Sequence, residues 1–171
     1  MIINRSWCMP NKNTFQIKPV KELIDKYYNK DIYSIDPFSN NSNIATVTND
    51  IDTQYKTTYH KDALDFLKMF DKNSVDLVFY DPPFSPRQVS ECYKKMNMTV
   101  NKETTQASYW SKQKDEISRI LKPNGICINC GWNSNGIGKT RGFEIIEILL
   151  IAHGGNHNDT IITVERKMNE L

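Results

Sequence analysis

Residues 74–84 read Ser-Val-Asp-Leu-Val-Phe-Tyr-Asp-Pro-Pro-Phe, an apolar, β-branched run that stops at two consecutive prolines. Val75, Leu77, Val78, Phe79 and Tyr80 form a near-continuous apolar segment, which predicts a strand buried on both faces. Pro82 and Pro83 each fix φ and each remove an N–H donor. The turn is therefore rigid, and its carbonyls are held in set directions at the carboxyl end of a buried strand.

Working outward, helix and strand patterns alternate. Val20, Leu23, Ile24, Tyr27 and Tyr28 recur at helical spacing in residues 18–30, with Pro19 suited to a first helical turn. Residues 31–36 read as a short buried strand, residues 44–48 as a second ending at Asn49-Asp50, and 55–60 as a weak third. Residues 62–70 read as a helix started by Asp62. Beyond Phe84, residues 85–104 read as polar, basic and irregular, and a helix is predicted over about 105–121, closed by Lys122-Pro123-Asn124-Gly125. Residues 125–130 read as a strand, 132–142 as turn-rich, and 143–152 with 159–167 as an antiparallel hairpin. With no repeat and no Gly- or Pro-rich linker, residues 1–171 read as one domain. The pattern predicts an α/β fold: a doubly wound, mostly parallel sheet with an antiparallel C-terminal hairpin, whose ligands bind at the carboxyl ends of the strands.

The formal net charge of +2 excludes a general polyanion binder, so any nucleic-acid footprint must be a local patch. No apolar run has signal-peptide or membrane-span length, so the chain is expected in the cytoplasm with its four cysteines reduced. Cys127 and Cys130 form a C-x-x-C within the strand at 125–130. Residues three apart on a strand point to opposite faces, so they read as core residues, not as metal ligands. His153, His157 and Asp159 surround a Gly-Gly turn and read as polar turn residues, so no metal is expected.

The chemistry is carried by Asp81-Pro82-Pro83-Phe84. An amino group on a nucleic-acid base is a poor nucleophile because its lone pair is delocalised into the ring. A carboxylate and a fixed carbonyl, each accepting one N–H, favour pyramidalisation and expose that lone pair to an electrophilic methyl. Asp81 and the Pro82 carbonyl are placed to do this. Phe84 offers a face for the base, and base–aromatic stacking contributes about 1–3 kcal/mol. A base in a duplex must be flipped out to reach such a pocket.

Asp81-Pro82-Pro83-Phe84 after an apolar strand resembles the D/N/S-P-P-Y/F/W signature of amino-group methyltransferases on the class I, Rossmann-like fold that uses S-adenosyl-L-methionine (SAM). The Asp-first form with an aromatic is similar to that of the N6-adenine DNA enzymes. Ile35-Asp36-Pro37-Phe38 resembles the cofactor loop that closes the first strand of that fold. Asp50 sits where an acidic residue binds the cofactor ribose, and Asp62-Ala63 resembles the pair that contacts the cofactor adenine. Leu121-Lys122-Pro123-Asn124-Gly125 resembles the turn before the fifth strand, and Phe15–Pro19 is placed like the family's extra cofactor motif. The resemblance covers roughly residues 15–167. It implies an N6-adenine DNA methyltransferase, with an RNA enzyme or a non-catalytic subunit of the same fold as the alternatives. It also implies that the first and fourth strands are neighbours, so that Asp36 and Asp81 open into one crevice.

Two departures from the family pattern bear on the structure. Ser39-Asn40-Asn41-Ser42 replaces the family's glycines, although Asn tolerates left-handed backbone better than most residues. Only about seven residues join the first two strands, too few for a crossover helix, although they span up to about 25 Å when extended. A missing helix would leave one sheet face open, which predicts a homodimer or a partner subunit covering it. No separate target-recognition segment is evident. Nucleic-acid contact is therefore expected from Arg87, Lys94, Lys95, Lys102, Lys112 and Lys114, interleaved with Tyr93, Tyr109 and Trp110, and from Trp132 and Asn133 after the fifth strand.

Overall fold

The computed structural model describes residues 1–11, 13–100 and 106–169. The strand that ends in the proline turn, β4 (Val75–Tyr80), pairs in parallel with β2 (Ser34–Asp36) on one side and β5 (Leu121–Gly131) on the other. β3 (Val47–Thr48) extends the sheet in parallel beyond β2. On the other side the antiparallel hairpin of β6 (Phe143–Ala152) and β7 (Thr160–Lys167) joins β5 through β7. With β1 (Ile2–Trp7) parallel to β6, the sheet has seven strands in the order β1-β6-β7-β5-β4-β2-β3. The doubly wound sheet and its C-terminal hairpin are as the sequence predicts. β1 was not anticipated, because its six residues pair only with β6, some 145 positions away, and no local pattern announces such a partner.

The alternation of β4 explains the two cores. Leu77 and Phe79 face α1 (Lys18–Tyr27), which lays Val20, Leu23 and Ile24 on them. Val78 and Tyr80 face the other way, toward α2 (Ala63–Leu67) and α4 (Ala107–Ile120), where Phe66, Leu67, Ile117 and Ile120 are fully buried. Cys127 belongs to the second core and Cys130 to the first, as opposite-facing positions on β5 require. Between α4 and the straight part of β5, Lys122–Gly125 bulge out. Pairing jumps from Val75↔Leu121 to Leu77↔Ile126, and Asn124 takes a left-handed φ of 65°. Gly125 is required there, since a Cβ would lie 2.8 Å from the Lys122 carbonyl oxygen.

Three expectations are corrected. Residues 85–104 are not wholly irregular: α3 (Pro86–Lys95) begins directly after the proline turn. Ser85 caps it by accepting from Gln88 N, and Pro86 suits its first turn. Val89 and Tyr93 alone are buried, a stripe too narrow to stand out in a polar sequence. The crossover between β2 and β3 does lack a helix, but the sheet face is not left open. Ala45 is buried in the α1 core, Tyr28 Oη donates to the Ile44 carbonyl at 2.8 Å, and Ile35 is buried in the opposite core. That removes the exposed-face argument for a second subunit. The weak strand expected at 55–60 is reduced to a single bridge between Asn49 and Tyr59. Among the described residues, no helix is long and apolar enough to cross a membrane.

Candidate cofactor and target site

The proline turn is fastened from three directions. The indole N–H of Trp110 on α4 donates to the Pro83 carbonyl at 2.8 Å, and the Gln88 side chain on α3 accepts from Phe84 N at 2.6 Å. The Phe84 ring meets Trp132 edge-on, with centroids 5.6 Å apart. Asp81, immediately after β4, is only partly exposed. Burial pushes its carboxyl up to about 6, and a hydrogen bond from the Thr14 side chain offsets part of that rise.

Beside Asp81 opens a cavity of about 470 Å³ at the carboxyl ends of β2, β3 and β4, within the size range of small-ligand sites. Pro37, Phe38, Asp50, Asp62, Ala63 and the whole segment 81–84 line it, so the crevice expected between the Asp36 loop and the proline turn exists. Asp36 stands just behind the lining and is fully buried. Its Oδ1 accepts from Phe38 N at 3.0 Å, whereas its Oδ2 has no hydrogen-bond partner among the described residues. Burial raises this carboxyl well above its ordinary range. The Phe38 N–H works against that rise, and the nearby Asp81 and Asp50 charges add to it. Asp50 at the end of β3 accepts from Asn40 N and Asp52 N, both at 2.9 Å, and burial still raises its carboxyl.

The loop between Asp36 and Val47 is shaped without glycine. Asn40 adopts φ 48°, the left-handed conformation a glycine would otherwise supply. Asn49, fully buried, ties the loop down: its amide donates to the Pro37 and Lys61 carbonyls at 3.1 and 3.0 Å and accepts from Lys61 N at 2.9 Å. Its backbone carbonyl accepts from Ser39 N. Sequence reading missed Asn49, which does the work of the absent crossover helix. A second omission is Thr14. Phe15 packs in the α1 core against Phe79, 5.3 Å between centroids, and it is its neighbour Thr14 that lines the cavity.

Two further cavities meet at the same turn. One of about 520 Å³ lies over the ends of β4 and β5, lined by Tyr80, Pro82, Trp110, Lys114, Trp132, Asn133 and Arg141. One of about 320 Å³ lies on the other side of Trp132, lined by Asn11, Thr14, Asn156, His157 and Asn158. Phe84 borders all three. Of the residues expected to meet nucleic acid, Trp132 and Asn133 thus sit beside the turn, and Lys114 reaches the Gly136 carbonyl at 2.5 Å. Tyr109 and Lys95 line the first cavity instead, Lys95 paired with Asp52 at 2.7 Å. Arg87 pairs with Glu91 at 2.8 Å on the exposed face of α3, and Lys94 is exposed on the same helix. Lys102 lies outside the described residues. His153 is bonded through both ring nitrogens, to the Cys8 carbonyl at 2.7 Å and to Thr160 Oγ1 at 2.8 Å. Among the described residues no group of three or more His, Cys, Asp or Glu is arranged to hold a metal.

No family model and no curated protein sequence matches the chain. Solved structures do. The chain is similar to yhhF from Escherichia coli, whose name assigns it provisionally to the methyltransferases (TM-score 0.58, 11% identity, covering 96% of this chain and 92% of that one). It is also similar to a SAM-dependent methyltransferase from Methanosarcina mazei (TM-score 0.55, 12% identity, 86% and 98% covered). A third is the Burkholderia thailandensis 1,6-didemethyltoxoflavin-N1-methyltransferase, solved with S-adenosylhomocysteine bound (TM-score 0.57, 7% identity, 89% and 78% covered). The fold is that of the SAM-dependent methyltransferases.

The charge of the first cavity suits the cofactor that goes with a methyltransferase fold. Asp50, Asp52, Asp62, Asp81 and Glu91 line it against Lys61 and Lys95. Carboxylates repel the pyrophosphate that other doubly wound folds take at this edge, whereas a sulfonium cation is favoured. The unpartnered Asp36 Oδ2 has the acceptor capacity for a hydroxyl or ammonium donor brought in by such a ligand.

Proposed function

We propose that the chain uses SAM to methylate an exocyclic amine of a nucleic-acid base, N6 of adenine in DNA. The observation that carries this reading is the junction at Phe84, three residues beyond Asp81. A carboxylate-lined cavity sized for a nucleoside cofactor meets two further cavities there, and Phe84 borders all of them.

The cofactor would supply an electrophilic methyl group on a positively charged sulfur. The chain's own residues hold and orient the amine. Asp81 and the Pro82 carbonyl accept its two N–H bonds, and Phe84 stacks on the ring. As the new N–C bond forms and the S–C bond breaks, the amine loses one proton. Asp81 accepts it, then yields it to solvent. With a carboxyl held at about 6, Asp81 is mostly ionised at neutral pH yet basic enough to take that proton. Trp110 and Gln88 keep the turn from relaxing, and positioning of this kind supplies much of the acceleration in a transfer between two bound partners.

The test is incubation with methyl-tritiated SAM and either DNA or RNA, followed by nucleoside chromatography. The expected product is N6-methyldeoxyadenosine. Label in N6-methyladenosine instead would select the RNA reading, for which a Clostridium thermocellum neighbour named provisionally an rRNA methylase is the motive (TM-score 0.54, 10% identity). Label on cytosine alone, or no transfer to either polymer, would overturn the adenine assignment.

A further inference from the structure

One wall of the cofactor cavity is α3, which sequence reading placed at the nucleic-acid surface. Tyr93 on its inner face is buried, and its hydroxyl donates to Asp62 Oδ2. Asp62 Oδ1 meanwhile accepts from Leu64 N at 2.9 Å. A carboxylate offers about four acceptor sites, so with one anchor on each oxygen its plane is set and acceptor capacity remains toward the cavity that Asp62 lines. A single anchor at Leu64 would leave the group free to rotate.

Tyr93 is itself firmly held. Its ring meets Tyr109 edge-on, 6.5 Å between centroids, and α3 is pinned a second time by the ion pair between Lys95 and Asp52. Burial, with the neighbouring Tyr109 and Asp62 adding to it, raises the phenol far above its ordinary value, so it stays a donor at any working pH.

We propose that Tyr93 is a positioning residue for the adenine end of the cofactor, orienting the Asp62 carboxylate so that it accepts from the exocyclic amine of that ring. The proposal rests on the cofactor reading above and on the resemblance that puts Asp62-Ala63 at the cofactor adenine; what it assigns anew is the role of Tyr93, on the helix that follows the proline turn. A ligand that carries the amine is then distinguished from one that lacks it, because a correctly aimed carboxylate rewards only the donor.

Calorimetry with S-adenosylhomocysteine and its deaminated analogue S-inosylhomocysteine tests this, since the two differ at that amine. The wild-type protein is expected to prefer the adenosyl ligand by about 10- to 100-fold. Tyr93→Phe keeps the ring and loses the hydroxyl. Its preference is expected to fall to a few-fold, with affinity for the inosyl ligand little changed. An equal loss for both ligands would make Tyr93 a merely structural residue and overturn the proposal, as would an unchanged preference. Asp62→Asn provides a check that does not depend on Tyr93→Phe folding. It retains an acceptor for Leu64 N but turns an amide toward the ligand, so the preference is expected to vanish or invert, and its survival would overturn the proposal. If the wild-type protein takes up neither ligand, the cofactor reading itself falls, a result distinct from either loss of preference.

Discussion

Replacing Asp81 by Asn removes a charge that the fold holds at a disadvantage. The carboxyl is raised from 3.8 to about 6, chiefly by burial. At about 1.36 kcal/mol per unit, the ionised form is disfavoured in the folded state by at most about 3 kcal/mol. The group is partly exposed at the cavity mouth, and solvent screening reduces this to roughly 1–2 kcal/mol. The folded state binds the proton more tightly, so wild-type stability falls as pH rises from about 4 to about 6 and is level above that. Asn cannot ionise and keeps an oxygen for Thr14. Asp81→Asn is therefore expected to melt higher than the wild type at pH 7.5, by roughly 2–8 °C for a chain of this length, and to melt together with it near pH 3.5. The same variant is expected to lose more than about 100-fold in methyl transfer, since the amide replaces both the acceptor and the base, while binding SAM within a few-fold of the wild type. Thermal unfolding across pH 3.5–8 and calorimetry with SAM measure both arms. A variant less stable at pH 7.5, a gain equal at all pH values, or retained transfer would refute the account of Asp81.

Asp50→Ala is expected to weaken SAM binding by about 10- to 100-fold in calorimetry, the worth of a charge-assisted hydrogen bond, and Asp36→Ala is expected to weaken it by freeing Phe38 N and the cavity wall that Asp36 holds. Trp110→Phe removes the donor to Pro83 while keeping an aromatic ring, and is expected to lower the transfer rate several-fold at unchanged SAM affinity. A change in affinity with an unchanged rate would show that the indole does not hold the turn. Gly136→Ala would place a methyl 2.3 Å from the Glu165 carboxyl at a φ of +57°, and is expected to cost about 2 kcal/mol or more in denaturant unfolding.

The sequence disclosed what depends on local rules. Two prolines end β4, Pro19 opens α1, the Gly-Gly turn closes the β6–β7 hairpin, and spacing alone predicted that no helix fits between β2 and β3. What stayed hidden depends on partners distant along the chain. β1 carries no strong alternation and is recognisable only by its pairing with β6. α3 is polar except at Val89 and Tyr93, so its helical character rests on the Ser85 cap and on what it covers. Around the first cavity, the motif resemblance singled out Asp50, Asp62 and Asp81, which line it, and Asp36, which is buried behind the lining. It did not single out Asn49 and Thr14, since an Asn after a strand and a Thr before a buried Phe are ordinary in any loop. Lys95 read as a phosphate ligand from composition, yet composition cannot say that Asp52 stands opposite it.

The bond pattern of Asn49 also bears on the order of assembly. A helical crossover carries its own short-range contacts and can form before the strands it joins have met. The connection here is clasped by bonds that reach 10 to 12 residues along the chain, from Asn49 back to Ser39 and Pro37 and on to Lys61. Such a clasp can close only once β3 has docked beside β2, and β3 is an edge strand of two residues. The floor of the cavity beside Asp81 is therefore expected to be among the last parts of this chain to become ordered, and the amide protons of Ser39 and Asn40 should exchange well before those of β4. A ligand seated against Asp50 and the Pro37–Phe38 wall would then act as the missing splint, tightening an edge that the bare chain closes with a few side-chain bonds from Tyr28, Asn49 and Asp50.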